Sequence, residues 1–187
     1  MKRQLLGFAL MGVFCSSFPA WGYDEAKLVK LARLSVESGV RGVALPRVES
    51  GERARPVFVT IERNGQVIGC RGGLRPRAQS LEAEVVLAAR SAATTDPRYR
   101  PLTVADLKNF RVTVTIIEAQ IPLDAAGIAS LGREDGLVLR AGNRIGVVLP
   151  WEGSDPRTRL AWAYKKSGVS RGARCQLFRL KAERFAG

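Results

Sequence analysis

The sequence predicts an α+β fold, a mostly antiparallel sheet with flanking helices, and two observations carry that prediction. Two turn signals, Asn64-Gly65 and Ala141-Gly142-Asn143, each join a pair of short β-branched runs, which is the pattern of a hairpin. Three helical segments with clear caps stand apart from these hairpins, opened by Asp24, Ser80 and Asp155. Hairpins mixed with separate helices build an antiparallel sheet rather than a doubly wound parallel one.

The elements follow in order. Asp24 caps a helix through residue 38, with Leu28, Leu31, Ala32 and Val36 on one face and Gly39 as its stop. Residues 39–55 are rich in Arg, Gly and Pro and read as a loop. Residues 57–62 are a strand, and 66–70 return after the Asn64-Gly65 turn. Ser80 opens a second helix whose Glu82 and Glu84 favour the dipole of the first turn. Leu81, Val85, Ala88, Ala89 and Ala92 form its apolar face, and Asp96-Pro97 ends it. Residues 103–110 read as a short helix with Asp106 three residues after its cap. The clearest strand is 111–118, apolar or threonine on both faces and therefore inside the sheet. A connector spans 121–132, a second hairpin pairs 136–140 with 144–149, and Asp155-Pro156 starts a third helix that Gly168 ends. The last strand is 175–185.

The first 22 residues read as a leader rather than as fold. Lys2 and Arg3 precede an apolar run over 5–14, and Ala20-Trp21-Gly22 gives a small-x-small cleavage pattern. The run is too short to span a bilayer. The expectation is a cleaved secretory signal over 1–22, one folded domain over 23–187, and a periplasmic or secreted location.

Composition excludes much. The 187 residues carry 30 Lys+Arg against 17 Asp+Glu, a formal net charge of +13, and removal of Lys2 and Arg3 with the leader lowers it to +11. Hydrophobic content of 46% and a mean hydropathy of −0.03 are values of a folded chain. No histidine is present, so histidine-based catalytic sets and histidine-ligated metals are excluded. Three cysteines cannot make a four-cysteine metal site, and nothing in the residues calls for a cofactor. Of the basic residues 23 are arginine, scattered along the chain without a stripe or interleaved aromatics. That argues against nucleic acid and for a solvated basic surface, open to an anionic ligand, polymer or membrane surface. Leader removal leaves Cys70 and Cys175, a count that allows one disulfide in an oxidising compartment.

The candidate site is the strand end at Gly69-Cys70-Arg71-Gly72-Gly73. Arg71 beside the thiol favours thiolate, and free N–H groups of a glycine turn can cradle an anion. Two readings stay open. In one, Cys70 is a nucleophile or redox thiol, with Asp96, Arg98 or Arg144 orienting a bound anion. In the other, Cys70 is structural and the domain is a binding or accessory module that contacts an anion at 69–73.

The run Asn64 to Gly72 resembles the Asn-Gly-x-Leu-Arg-Gly-Cys-Ile-Gly signature of the AMMECR domain family, also called AmmeMemoRadiSam system protein A. Asp96-Pro97-Arg98-Tyr99 with Pro101-Leu102, Asp135-Gly136-Leu137 and the 177–185 strand resemble further segments of that family. The resemblance covers residues from about 24 to the end. It implies an α+β fold with a larger and a smaller lobe. It also implies Memo-type and radical-SAM partners inside the cell, which an exported chain does not meet. The family's signature arginine is Ile68 here and its isoleucine is Arg71, so strand alternation is expected to move the basic group to the other face.

Overall fold

The computed structural model describes residues 22–48 and 51–187, so the leader expected over 1–22 lies outside it except for Gly22. Helix α1 is Glu25–Arg41, capped by Asp24, whose side chain accepts from Lys27 N–H at 3.0 Å. It runs past Gly39 and ends at Gly42, whose φ of +67° suits a left-handed cap. Gly39 lies within the helix and faces α2 (Leu81–Thr94), where an added Cβ would be 3.4 Å from Arg90 Cγ. Ser80 caps α2 through Ala83 N–H, as the sequence predicts.

Strands β1 (Val57–Arg63) and β2 (Gln66–Gly72) form the first hairpin, with Asn64 and Gly65 both at positive φ, 51° and 75°. β2 is two residues longer than expected. The predicted helix at 103–110 shrinks to a 3-10 turn, Val104–Leu107, braced by Thr103 and Asp106. Strand β3 (Phe110–Leu123) absorbs the start of the predicted connector, and a second 3-10 turn follows at Ala126–Ser130. The second hairpin is β4 (Gly136–Ala141) with β5 (Arg144–Val148). Helix α3 (Pro156–Ser167) lies between Asp155 and Gly168, and β6 (Gln176–Ala186) closes the chain.

All pairs are antiparallel in one six-stranded sheet of order β2-β1-β3-β6-β4-β5. One face carries the helices, in two separate apolar clusters. The larger packs Leu28, Ala32, Val85 and Ala89 against Val59, Ile61, Val114 and Ile116. The smaller packs Ala163 against Leu137, Leu139 and Val148. A polar strip divides them, where Tyr23 donates to Glu183 and Lys181 pairs with Asp135 at 2.6 Å. These are the larger and smaller lobes. The opposite face holds a third cluster of Ile117, Val138, Leu149 and Leu180.

Each edge strand meets a helix through a glycine. A Cβ at Gly69 of β2 would run into Ala92 C=O of α2, and one at Gly146 of β5 would run into Ala163 C=O of α3. Gly146→Ala should therefore lower stability by about 2 kcal/mol or more, because backbone rather than a flexible side chain must move. Urea denaturation checks this, and an unchanged midpoint would contradict the packing.

Candidate functional site

The sheet curls until its two edges share one cavity of about 440 Å³. β2 and the following residues contribute Cys70 to Leu74, and the β5 side contributes Ile145, Val147, Leu149 and Glu152. Phe58 from β1, Pro97 and Arg98 from the segment after α2, and Lys166 from α3 complete the wall. An apolar floor thus meets cationic groups at the rim.

Cys70 belongs to the cluster on the helix-free face, whereas its neighbour Gly69 lies under α2. Thr60 pairs across from it in β1 and donates its hydroxyl to Sγ at 3.3 Å. Burial pushes the Cys70 thiol above its ordinary pKa, against the opposite pull of Thr60 and Arg98. Its backbone points to the open edge of the sheet. There the N–H donates to Asp96 Oδ2 at 2.9 Å and the C=O accepts from Arg98.

Asp96 and Arg98 form a forked pair, Nε to Oδ1 at 3.0 Å and Nη2 to Oδ2 at 2.8 Å. Asp96 is buried and Arg98 is half exposed. Burial works against the Asp96 charge, but Arg98 and two backbone N–H groups, those of Cys70 and Arg98, hold its carboxyl below the ordinary range. The same pairing raises Arg98. Together the two side chains supply the acceptor and donor that another strand would offer to β2, so they close its edge at Cys70.

The structure brings Gly69, Cys70, Arg71, Gly72, Gly73, Asp96 and Arg98 into one place. Residues 69–72 are strand rather than turn, and Gly73 N–H bonds Val57 C=O at 3.1 Å. The Cys70 N–H is already given to Asp96, so it is not free for an anion. Gly72 is obligatory, since a Cβ there would strike Val57 C=O and Phe58. Arg144 lies elsewhere, holding Gly168 C=O at the end of α3 at 2.6 Å. Cys70 and Cys175 are both free thiols. Cys175 sits in the cluster under α3, with its sulfur 3.6 Å from Tyr164 Oη.

Ile68 is the extra residue of a bulge, because Ile61 pairs with Gly69 and Glu62 with Val67. Ile68 therefore packs in the larger helix-side cluster, and Arg71 pairs with Val59 of that cluster. The bulge thus sets positions 68 and 71 toward the same side, where plain alternation predicts opposite sides. Sequence reasoning missed Thr60, Phe58, Glu152 and Lys166. Among the described residues no group of three or more Cys, Asp and Glu is placed to hold a metal.

Asp96→Asn tests the edge closure. It keeps an acceptor for Cys70 N–H but loses the charged fork, and should cost about 1–3 kcal/mol at pH 7, Arg98 being half in solvent. A carboxyl held below its ordinary 3.8 stabilises the fold above that pH and stops doing so as pH falls through the folded value. The gap between wild type and variant in urea denaturation should hold steady from pH 7 to about 5 and shrink below 3.8. A gap unchanged in acid would remove the charge from the account.

The AMMECR1 family model matches residues 29–187. An Aeropyrum pernix protein is 36% identical over 162 residues, covering 78% of this chain and 69% of its own length. A Thermofilum pendens protein is 32% identical over 191 residues, covering 87% and 89%. The crystal structure of the uncharacterised protein PH0010 from Pyrococcus horikoshii shares the fold, with a TM-score of 0.74 at 23% identity over 87% of this chain and 90% of that one. The resemblance carried by the Asn64 to Gly72 run and the Asp96-Pro97-Arg98 segment extends to the whole domain, and the chain belongs to the AMMECR1 family.

Proposed function

We propose that the domain is a binding or accessory module whose cavity beside Cys70 takes a small anion with an apolar portion, and that it works outside the cytoplasm. One observation carries the binding reading. The cavity sets Arg98 and Lys166 over a floor of Phe58, Val147 and Leu149, with the thiol packed into the wall rather than activated. Lys166 lies 2.7 Å from Glu152, a partly exposed pair that an incoming carboxylate can replace at small cost. The anion contact thus rests on side chains at the rim more than on backbone N–H groups of 69–73.

The thiol reading is favoured by one fact, that Cys70 lines this cavity next to Arg98. Its raised pKa speaks against a ready thiolate. The export reading rests on the leader pattern of residues 1–22.

Titration with short-chain monocarboxylates such as hexanoate should raise the melting temperature, less so at high salt. Lys166→Ala should weaken the effect about tenfold or more while leaving the unliganded melt close to wild type. Iodoacetamide should modify Cys70 at neutral pH more slowly than free cysteine. No shift with any carboxylate, together with alkylation faster than free cysteine, would favour thiol chemistry instead.

Expression with the natural leader should yield a mature chain starting at Tyr23, read by intact mass. Tyr23 is already anchored, its ring 6.0 Å from that of Phe185. A mature mass that retains residues 1–22 would end the export reading.

A further inference from the structure

Helix α3 inverts the usual order of burial. Its Arg159 is 1% exposed, while Trp162, three residues on, is 41% exposed. A buried guanidinium and an exposed indole are each unfavourable, so the arrangement calls for a cause. The cause lies in a second cavity of about 610 Å³, separate from the one at Cys70, which both Trp151 and Trp162 line.

Trp151 is held at a backbone cost. Leu149 C=O accepts from Glu152 N–H at 3.1 Å, with Pro150 and Trp151 between them. Proline first and a positive φ second is a type II turn, whose second position favours glycine, yet Trp151 stands there at φ +67°. A bulky residue in that region is strained. Arg184 lies 4.6 Å over its ring and fixes it, and Trp151 N–H bonds Arg133 C=O at 3.2 Å.

Arg159 makes the floor rigid. Its guanidinium donates to the carbonyls of Glu152 at 3.0 Å, Gly132, Arg133 at 3.4 Å and Gly153 at 3.5 Å. One side chain thus ties the loop carrying Arg133 to the turn carrying Trp151. The two indoles do not stack on each other, because the ring contact among the described residues is that of Tyr23 with Phe185. Both residues line the cavity.

The polar lining says what enters. Ser154 and Thr158 both direct their hydroxyl protons to Asp155 Oδ2, at 2.8 and 2.6 Å. Their remaining lone pairs and the carboxylate of Asp155, which also lines the cavity, are acceptors, so a fitting ligand brings hydroxyl donors to this side and keeps any negative charge on the side of Arg133. Arg133 is exposed at the mouth and can pair with an anionic group. Flat apolar faces for the indoles, hydroxyl donors at the edge and a carboxylate are together the surface of an acidic sugar. We propose that this cavity is a saccharide site for uronic-acid units, with Trp151 and Trp162 against ring faces and Arg133 on the carboxylate.

Calorimetric titration of the full chain with an oligogalacturonate tests this, against a neutral oligosaccharide of equal length and oligo-dT. The oligogalacturonate should bind at least about tenfold more tightly than either, which is roughly 1.4 kcal/mol. Trp162→Ala, at an exposed position, and Arg133→Ala should each weaken binding by about tenfold or more with an unchanged thermal melt. Trp151→Gly keeps the turn, since glycine suits it, and should lose binding likewise. Lys166→Ala, at the other cavity, should bind as wild type. Absence of oligogalacturonate binding, wild-type affinity in the Trp162 and Arg133 variants, or tighter binding of oligo-dT would each overturn the proposal.

Discussion

Everything in this molecule hangs on the seam between β3 and β6. It is the hydrogen-bonded join between the β2-β1-β3 half and the β6-β4-β5 half of the sheet. Ten residue pairs cross it, from Thr113 with Ala186 to Leu123 with Leu177, interrupted by a bulge at Glu118. The bulge resets the alternation of β3. Val112, Val114 and Ile116 face α1 and α2, and beyond the bulge the parity changes so that Leu123 faces α3. β6 runs straight, and its odd positions keep one face, Phe185 in the larger cluster and Leu177 in the smaller. One inserted residue thus lets a single strand serve both lobes, and the added twist that a bulge brings favours the curl of the sheet.

The curl has a consequence at the edges. β2 and β5, the outer strands, border the same cavity rather than opposite sides of the molecule. The open groups at Cys70 are closed by Asp96 and Arg98, and the helices reach both edge strands because Gly69 and Gly146 carry no Cβ. With 30 basic residues against 17 acidic, many arginines cannot find a carboxylate, and several bond backbone carbonyls instead. Arg33 holds Phe110 C=O at 2.9 Å, Arg144 holds Gly168 C=O and Arg159 holds four carbonyls. Five donors on a planar fork suit that use better than the three of lysine. Part of the positive charge is therefore scaffold rather than a solvated surface.

The sequence made the caps and turns legible because their chemistry is local. Asp24, Ser80, Asp155, Gly168 and the Asn64-Gly65 turn each act within a few residues. What it concealed is where non-local contact overrides local pattern. The sequence predicts a strand that ends at 118, whereas a bulge at Glu118 shifts the register there and the pairing continues to Leu123. Counting back from the Asn64-Gly65 turn would set Thr60 opposite Gly69, and the bulge at Ile68 makes the partner Cys70 instead. That slip decides which face the thiol occupies. Gly39 reads as a helix stop, but the helix runs on to Arg41 and the left-handed cap falls at Gly42. Asp96 and Arg98 were visible as site residues beside Cys70, yet their roles on its N–H and C=O depend on the open edge of β2, which no local pattern announces. Nothing local sets Lys166 and Trp162 apart from the other residues of α3; their cavities are formed by distant segments.

Both cavities meet at the short turn after β5. Glu152 lines the Cys70 cavity, where its carboxylate holds Lys166 at 2.7 Å and Leu149 N–H at 2.9 Å. Its carbonyl holds Arg159 Nε at 3.0 Å, under the cavity of the two tryptophans. Trp151, one residue before it, lines that second cavity and sits at the strained position of the same turn. α3 is shared in the same way, giving Lys166 from its last turn to one cavity and Trp162 to the other. A turn needed only to link β5 to α3 would place glycine at 151 and leave Arg159 outside. Retaining strain, an exposed indole and a buried charge within twelve residues makes sense where the segment from 151 to 162 is held rigid for contact with something other than its own chain.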